Sequence, residues 1–87
     1  MKQVWITAKG APETLQLRES PDPQAGAGKL RIRVAYAGIN FADIQARMGQ
    51  YPDAPPIPCV VGYEVSGIVD QVGSGVSGFS EGDRVLT

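Results

Sequence analysis

The stretch Leu30-Arg31-Ile32-Arg33-Val34-Ala35-Tyr36-Ala37 decides the fold class. Leu30, Ile32, Val34 and Tyr36 alternate with Arg31, Arg33, Ala35 and Ala37, the period of two that sends successive side chains to opposite faces of a pleated strand. It reads as a strand with one buried face. Just past Gly38 the period changes, because Phe41, Ile44 and Met48 fall at i, i+3 and i+7. That spacing predicts a short helix. Asn40 is placed to cap its first free amides, and Gly49 closes its C-terminal side.

Working outward, Lys2 to Thr7 carries Val4 and Ile6 on one side, and Leu15-Gln16-Leu17-Arg18 alternates in the same way. The Lys9-Gly10-Ala11-Pro12 loop joins the two as a hairpin. Ser20 to Gly28 concentrates Pro and Gly and reads as an exposed connection. Tyr51 to Pro58, with Pro52, Pro55, Pro56 and Pro58, is neither helix nor central strand, since each Pro removes an amide donor and restricts the residue before it. A rigid extended loop is expected there. Glu64 to Val72 is a further strand, with Gly67 marking a bulge or bend. The Gly73-Ser74-Gly75-Val76-Ser77-Gly78 run has no following Lys and no helical pattern after it, so it is a turn and not a phosphate-cradling loop. Arg84-Val85-Leu86-Thr87 starts one more strand for which no return strand follows. Short strands, Gly-rich corners and one helix together predict a mostly β fold, a partly closed antiparallel barrel.

Composition narrows the chemistry. The 87 residues contain no His, which removes the commonest general base and the commonest nitrogen ligand to metals. One Cys, Cys59, forms no disulfide within the chain and builds no thiolate site alone, a usage that fits a reducing, cytoplasmic compartment. Between Pro58 and Val60 it is most simply a small buried apolar residue. Eight Lys and Arg against nine Asp and Glu give a net charge of -1 with no basic cluster, so nucleic acid is not an expected partner. No run reaches the length of a membrane span, and the N-terminal residues lack the apolar core of a secretion signal.

Two segments carry a resemblance. Gly38-Ile39-Asn40-Phe41-Ala42-Asp43 and Gly62-Tyr63-Glu64 resemble the metal-binding signatures of the medium-chain dehydrogenase/reductase family with the ligands taken out. Its zinc alcohol dehydrogenases carry Cys where this chain has Asn40 and His where it has Tyr63. The resemblance extends from Lys9-Gly10-Ala11-Pro12-Glu13 to Glu81-Gly82-Asp83-Arg84-Val85, and it is to the zinc-independent branch of quinone oxidoreductases, vesicle amine transport protein homologues and enoyl reductases. It implies a GroES-like N-terminal catalytic domain over residues 1–87, truncated at its C-terminal end and lacking the Rossmann domain that would follow. It also implies NADPH or NADH as cofactor, no zinc, a small-molecule quinone or enone substrate, no membrane or nucleic acid partner, and a homodimer.

Carried over residue by residue, the resemblance makes Asn40 the catalytic and cofactor-facing residue, with helix capping as its parallel structural role. Asp43 is a supporting residue beside it, stabilised in any case by the helix N-terminus. Gln45 stands where some quinone oxidoreductases have a pocket Tyr, which weakens stacking on a quinone at that position. Tyr51 and Tyr63 are the aromatic candidates for the pocket, although an isolated Tyr near a loop is more often simple packing. Glu64 is expected to pair with a cation, Arg47 or Arg84. Two rival readings stand beside this one: a non-catalytic GroES-like assembly or interaction module, and a zinc alcohol dehydrogenase, which the missing Cys and His disfavour. A Gly-rich dinucleotide-binding turn beyond Thr87 would separate enzyme from module.

Overall fold

The structure, a computed structural model, describes residues 1–87. The strands are β1 (Lys2–Ile6), β2 (Leu15–Glu19), β3 (Leu30–Ala37), β4 (Val65–Val72) and β5 (Arg84–Leu86), with one helix, α1 (Phe41–Arg47), between β3 and β4. The fold is mostly β with one helix, as the alternation predicts, and its strands form two open antiparallel sheets, β1-β2 and β3-β4-β5. No helix is long and apolar enough to cross a membrane. The chain divides into two compact units, one of Met1–Pro21 with Ile39–Tyr63 and the other of Asp22–Gly38 with Glu64–Thr87.

The first unit is a hairpin with a helix and an extended loop. β1 and β2 pair from Lys2 opposite Glu19 to Ile6 opposite Leu15, joined through a single 3-10 turn at Pro12–Thr14. Ile6 also exchanges both backbone hydrogen bonds with Cys59, at 2.8 and 3.1 Å, which stitches the proline-rich loop to the hairpin. Ile6, Cys59 and Ala46 of α1 form the core of this unit, with Tyr51, Ala54, Ile57 and Val61 packed against it. Full burial of one such aliphatic side chain contributes about 1.5–3 kcal/mol, so Ile6 is the largest single anchor here.

The helix presents a different face from the one its periodicity selects. Phe41, Ile44 and Met48 are all exposed, and the buried helical residue is Ala46. Spacing picks out large apolar side chains, whereas packing against Ile6 and Cys59 favours the small one that lets the helix backbone come close. Gly49 sits beyond the helix end at φ +74°, the left-handed conformation that closes helices, and a β-carbon there would also press on the Lys9 side chain at 2.9 Å.

In the second unit β3 and β4 pair over nearly their whole length with two irregularities. Asp70 is the extra residue on β4 between partners of Arg31 and Ile32, and its carboxylate meets Arg31 Nε at 2.8 Å. Ala35 is the extra residue on β3, between Val34 opposite Gly67 and Tyr36 opposite Ser66. The bulge expected at Gly67 therefore lies across the ladder from it. Val69 is fully buried and accepts from Gly82 N–H at 2.8 Å while donating to the Asp83 carbonyl at 2.9 Å.

Two further expectations change. Arg84–Leu86 does not lack a partner: β5 pairs antiparallel with the earlier strand β4, Ser66 opposite Leu86 and Ile68 opposite Arg84. And the apolar side of β3 is not buried, with Val34 and Tyr36 exposed and only Leu30 and Ile32 half covered. Alternation fixes a strand, but burial needs a second layer, and this unit holds a single three-stranded sheet.

Candidate functional site

The N-terminus of α1 positions three of the candidate residues. Asn40 holds the N-cap place with extended backbone, φ -114° and ψ 164°, and forms a capping box with Asp43. Asp43 Oδ2 accepts from the Asn40 N–H at 2.8 Å, and the Asn40 carbonyl accepts from the Asp43 N–H at 3.0 Å. The box fixes the backbone of Asn40 through the carboxylate of Asp43. None of the chain's hydrogen bonds uses the side-chain NH2 of Asn40, so capping leaves its two donors unspent. Asp43 Oδ1 is buried and has no hydrogen-bond partner, and the same is true of Arg47 Nε one turn further along. Gln45 is half-buried on the same helix, and its carbonyl accepts from the Gln50 N–H at 2.8 Å.

The structure also brings Tyr51 and Tyr63 together. Their ring centroids are 5.9 Å apart with planes at 67°, an edge-to-face pair of the kind aromatic quadrupoles favour. Tyr51 is half-buried against the core of its unit, while Tyr63 is 45% exposed. Partial desolvation, followed by the charges of Tyr51, Asp43, Asp53 and Cys59, raises the pKa of Tyr63 above its ordinary 10.0. Its hydroxyl thus stays protonated throughout the neutral range and can donate. Cys59 is buried in the core, as its apolar neighbours suggest.

Glu64 belongs to the other unit and behaves differently from expectation. It is exposed and forms no ion pair with Arg47, Arg84 or any other cation. Its side chain lies over Gly38 instead, where any β-carbon would collide with the carboxylate, and the Gly38 N–H donates to the Glu64 carbonyl at 3.0 Å. The motif expectation assigned the Glu a cation because a buried carboxylate needs one, and an exposed carboxylate does not. A shallow cavity of ≈ 270 Å³ in this unit is lined by Gly38 and Glu64 with Tyr36, Ser66 and Leu86 among its other walls. Neither Tyr36 nor Ser66 is a candidate from sequence, since each reads there as a plain strand residue. No signal in the sequence marks them; it is the strand register that sets them opposite each other beside the Ala35 bulge.

No three His, Cys, Asp or Glu side chains converge anywhere in the chain. At the two positions where zinc alcohol dehydrogenases are expected to have a thiolate and an imidazole, the donors are a carboxamide and a phenol. Residues 26–87 match the alcohol dehydrogenase GroES-like domain. The chain belongs to that family. It is a GroES-like domain of the medium-chain dehydrogenase/reductase type. It is 46% identical over 72 residues, 83% of its length, to a human synaptic vesicle membrane protein VAT-1 homolog, of which it covers 18%. It is 38% identical over 82 residues, 94% of its length, to an acryloyl-coenzyme A reductase of Metallosphaera sedula, covering 24% of that protein. It also superimposes on a crystal structure of Escherichia coli quinone oxidoreductase complexed with NADPH, with TM-score 0.93 and 36% identity over 99% of this chain and 26% of that one. The chain thus spans only about a fifth to a quarter of the length of these relatives, from 18% of the VAT-1 homolog to 26% of the quinone oxidoreductase.

Proposed function

We propose that residues 1–87 are the N-terminal, substrate-facing part of a longer NAD(P)H-dependent oxidoreductase that reduces quinones or α,β-unsaturated carbonyls without zinc. The observation that carries this reading is the pair of unspent side-chain donors on Asn40, held in place by a capping box that does not need them. Reducing a simple ketone calls for a Lewis acid or a strong general acid at the oxygen. A conjugated acceptor needs less, because the incoming hydride turns it into an enolate or phenolate whose charge is already spread. Preorganised N–H and O–H donors suffice to stabilise such an oxyanion. Relatives named quinone oxidoreductase and acryloyl-coenzyme A reductase support that acceptor class.

The residues present suit the reacting end of a nicotinamide cofactor, since a free carboxamide can face either its carboxamide or the acceptor oxygen. The nicotinamide, when bound, supplies the hydride. Asn40 donates to the developing oxyanion, Asp43 holds the Asn40 backbone through its 2.8 Å hydrogen bond, and Tyr51 with Tyr63 forms the aromatic wall. A proton then reaches the product from water or a pocket hydroxyl.

The test compares two polypeptides. A full-length protein containing this domain should oxidise NADPH in the presence of duroquinone or an enone, and the isolated 87-residue chain should show no turnover, because its one strand-turn-helix, β3 to α1, turns through Gly38-Ile39-Asn40 and lacks the Gly-rich run that receives a pyrophosphate. Absence of NADPH oxidation by the full-length protein with both acceptor classes would refute the reading, and steady turnover by the isolated chain would refute the assigned division of labour.

A further inference from the structure

Tyr63 stands out among the side chains around α1 as a polar group with no internal use. None of the chain's hydrogen bonds involves its hydroxyl, and nearly half its surface is open although its ring is braced by Tyr51. Packing alone accounts for Tyr51, which lies against Ile6, Ala46 and Cys59. It does not account for the exposed partner. Resting on the reading just given, we propose that Tyr63 selects the acceptor: its ring, braced by Tyr51, holds the hydroxyl where it donates to the carbonyl oxygen of a planar conjugated acceptor.

Three features support this. Tyr51 fixes the second ring at 67° and 5.9 Å, so Tyr63 loses less freedom on binding than a lone exposed aromatic would. Gln45 offers no aromatic surface, which leaves stacking to the tyrosine pair. And a phenol is protonated at neutral pH in any case, a state that partial desolvation and the neighbouring Tyr51 reinforce, so the hydroxyl is a donor there.

The 87-residue chain itself can be tested with duroquinone, whose fully substituted ring does not alkylate thiols. Binding is followed by NMR of ring-labelled tyrosine in the wild type, Tyr63→Phe and Asn40→Ala. The expected result is saturable binding to the wild type that shifts the Tyr63 signals, and roughly fivefold weaker binding to Tyr63→Phe with the Tyr51 signals still moving, as loss of one neutral hydrogen bond implies. Equal affinity for wild type and Tyr63→Phe, with weakening only in Asn40→Ala, would overturn the role of Tyr63 and leave the quinone reading standing. No saturable shift of any tyrosine in the wild type would overturn the role of Tyr63, and the quinone reading then stands or falls with NADPH oxidation by the full-length protein.

Discussion

Asn40→Asp should lower turnover of the full-length protein at least tenfold while leaving its melting temperature nearly unchanged. The substitution keeps the size of the side chain and a residue type that caps helices as well as Asn does. It removes both N–H donors and puts an acceptor-only carboxylate in their place. Losing one oxyanion donor typically costs about 3 kcal/mol of transition-state stabilisation, about a hundredfold in rate, and a negative charge facing a developing oxyanion adds to the loss. The added charge repels Asp43 but sits at a helix N-terminus, which favours a carboxylate, so the two effects, each a few tenths of a kcal/mol, largely offset. Kinetics within about twofold of wild type, with NADPH and several quinones and enones, would show that Asn40 only caps the helix.

Gly67→Val tests the other half of the architecture and should have the largest effect on stability. A β-carbon at Gly67 would fall on the Arg33 carbonyl oxygen and lie 2.9 Å from both the Arg33 carbonyl carbon and Ile32 Cγ2. Backbone on the facing strand cannot swing aside as a side chain can, so β3 and β4 would have to part beside the Ala35 bulge. Overpacking of this kind costs about 2–3 kcal/mol, which lowers the melting temperature of a small domain by roughly 10–20 °C. Gly26→Ala serves as the control, because a β-carbon there meets nothing within 4 Å and the backbone is not in the left-handed region. Circular dichroism melts of both variants decide the matter: equal melting temperatures would mean that the close approach at Gly67 is not real.

Much of this fold is legible in the residues. The alternation from Leu30 to Ala37 marks β3 to the residue, and Asn40 and Gly49 bracket α1 because caps are chosen by local backbone geometry, which nearby side chains report directly. What failed depends on partners distant in sequence. The pairing of Arg84–Leu86 with β4 reaches back some twenty residues to Ser66, and no local pattern announces it. The exposure of Phe41 and the burial of Ala46 turn on which helix face meets Ile6 and Cys59, and size-based periodicity points the wrong way there. The candidate site divides in the same manner. Asn40 and Asp43 are neighbours on one helical turn, so their contact is readable, whereas the approach of Tyr63 to Tyr51 follows from how the proline-rich loop is laid out, and Glu64 lies over Gly38, a partner distant in sequence.

Conjugated-carbonyl reduction with NAD(P)H and without zinc can be followed as NADPH oxidation with duroquinone in full-length protein dialysed against EDTA, with zinc content measured on the same sample. With a carboxamide at position 40 and a phenol at position 63, the rate should be undiminished at well under one zinc per chain. Loss of the rate on dialysis and its recovery with added zinc would contradict it.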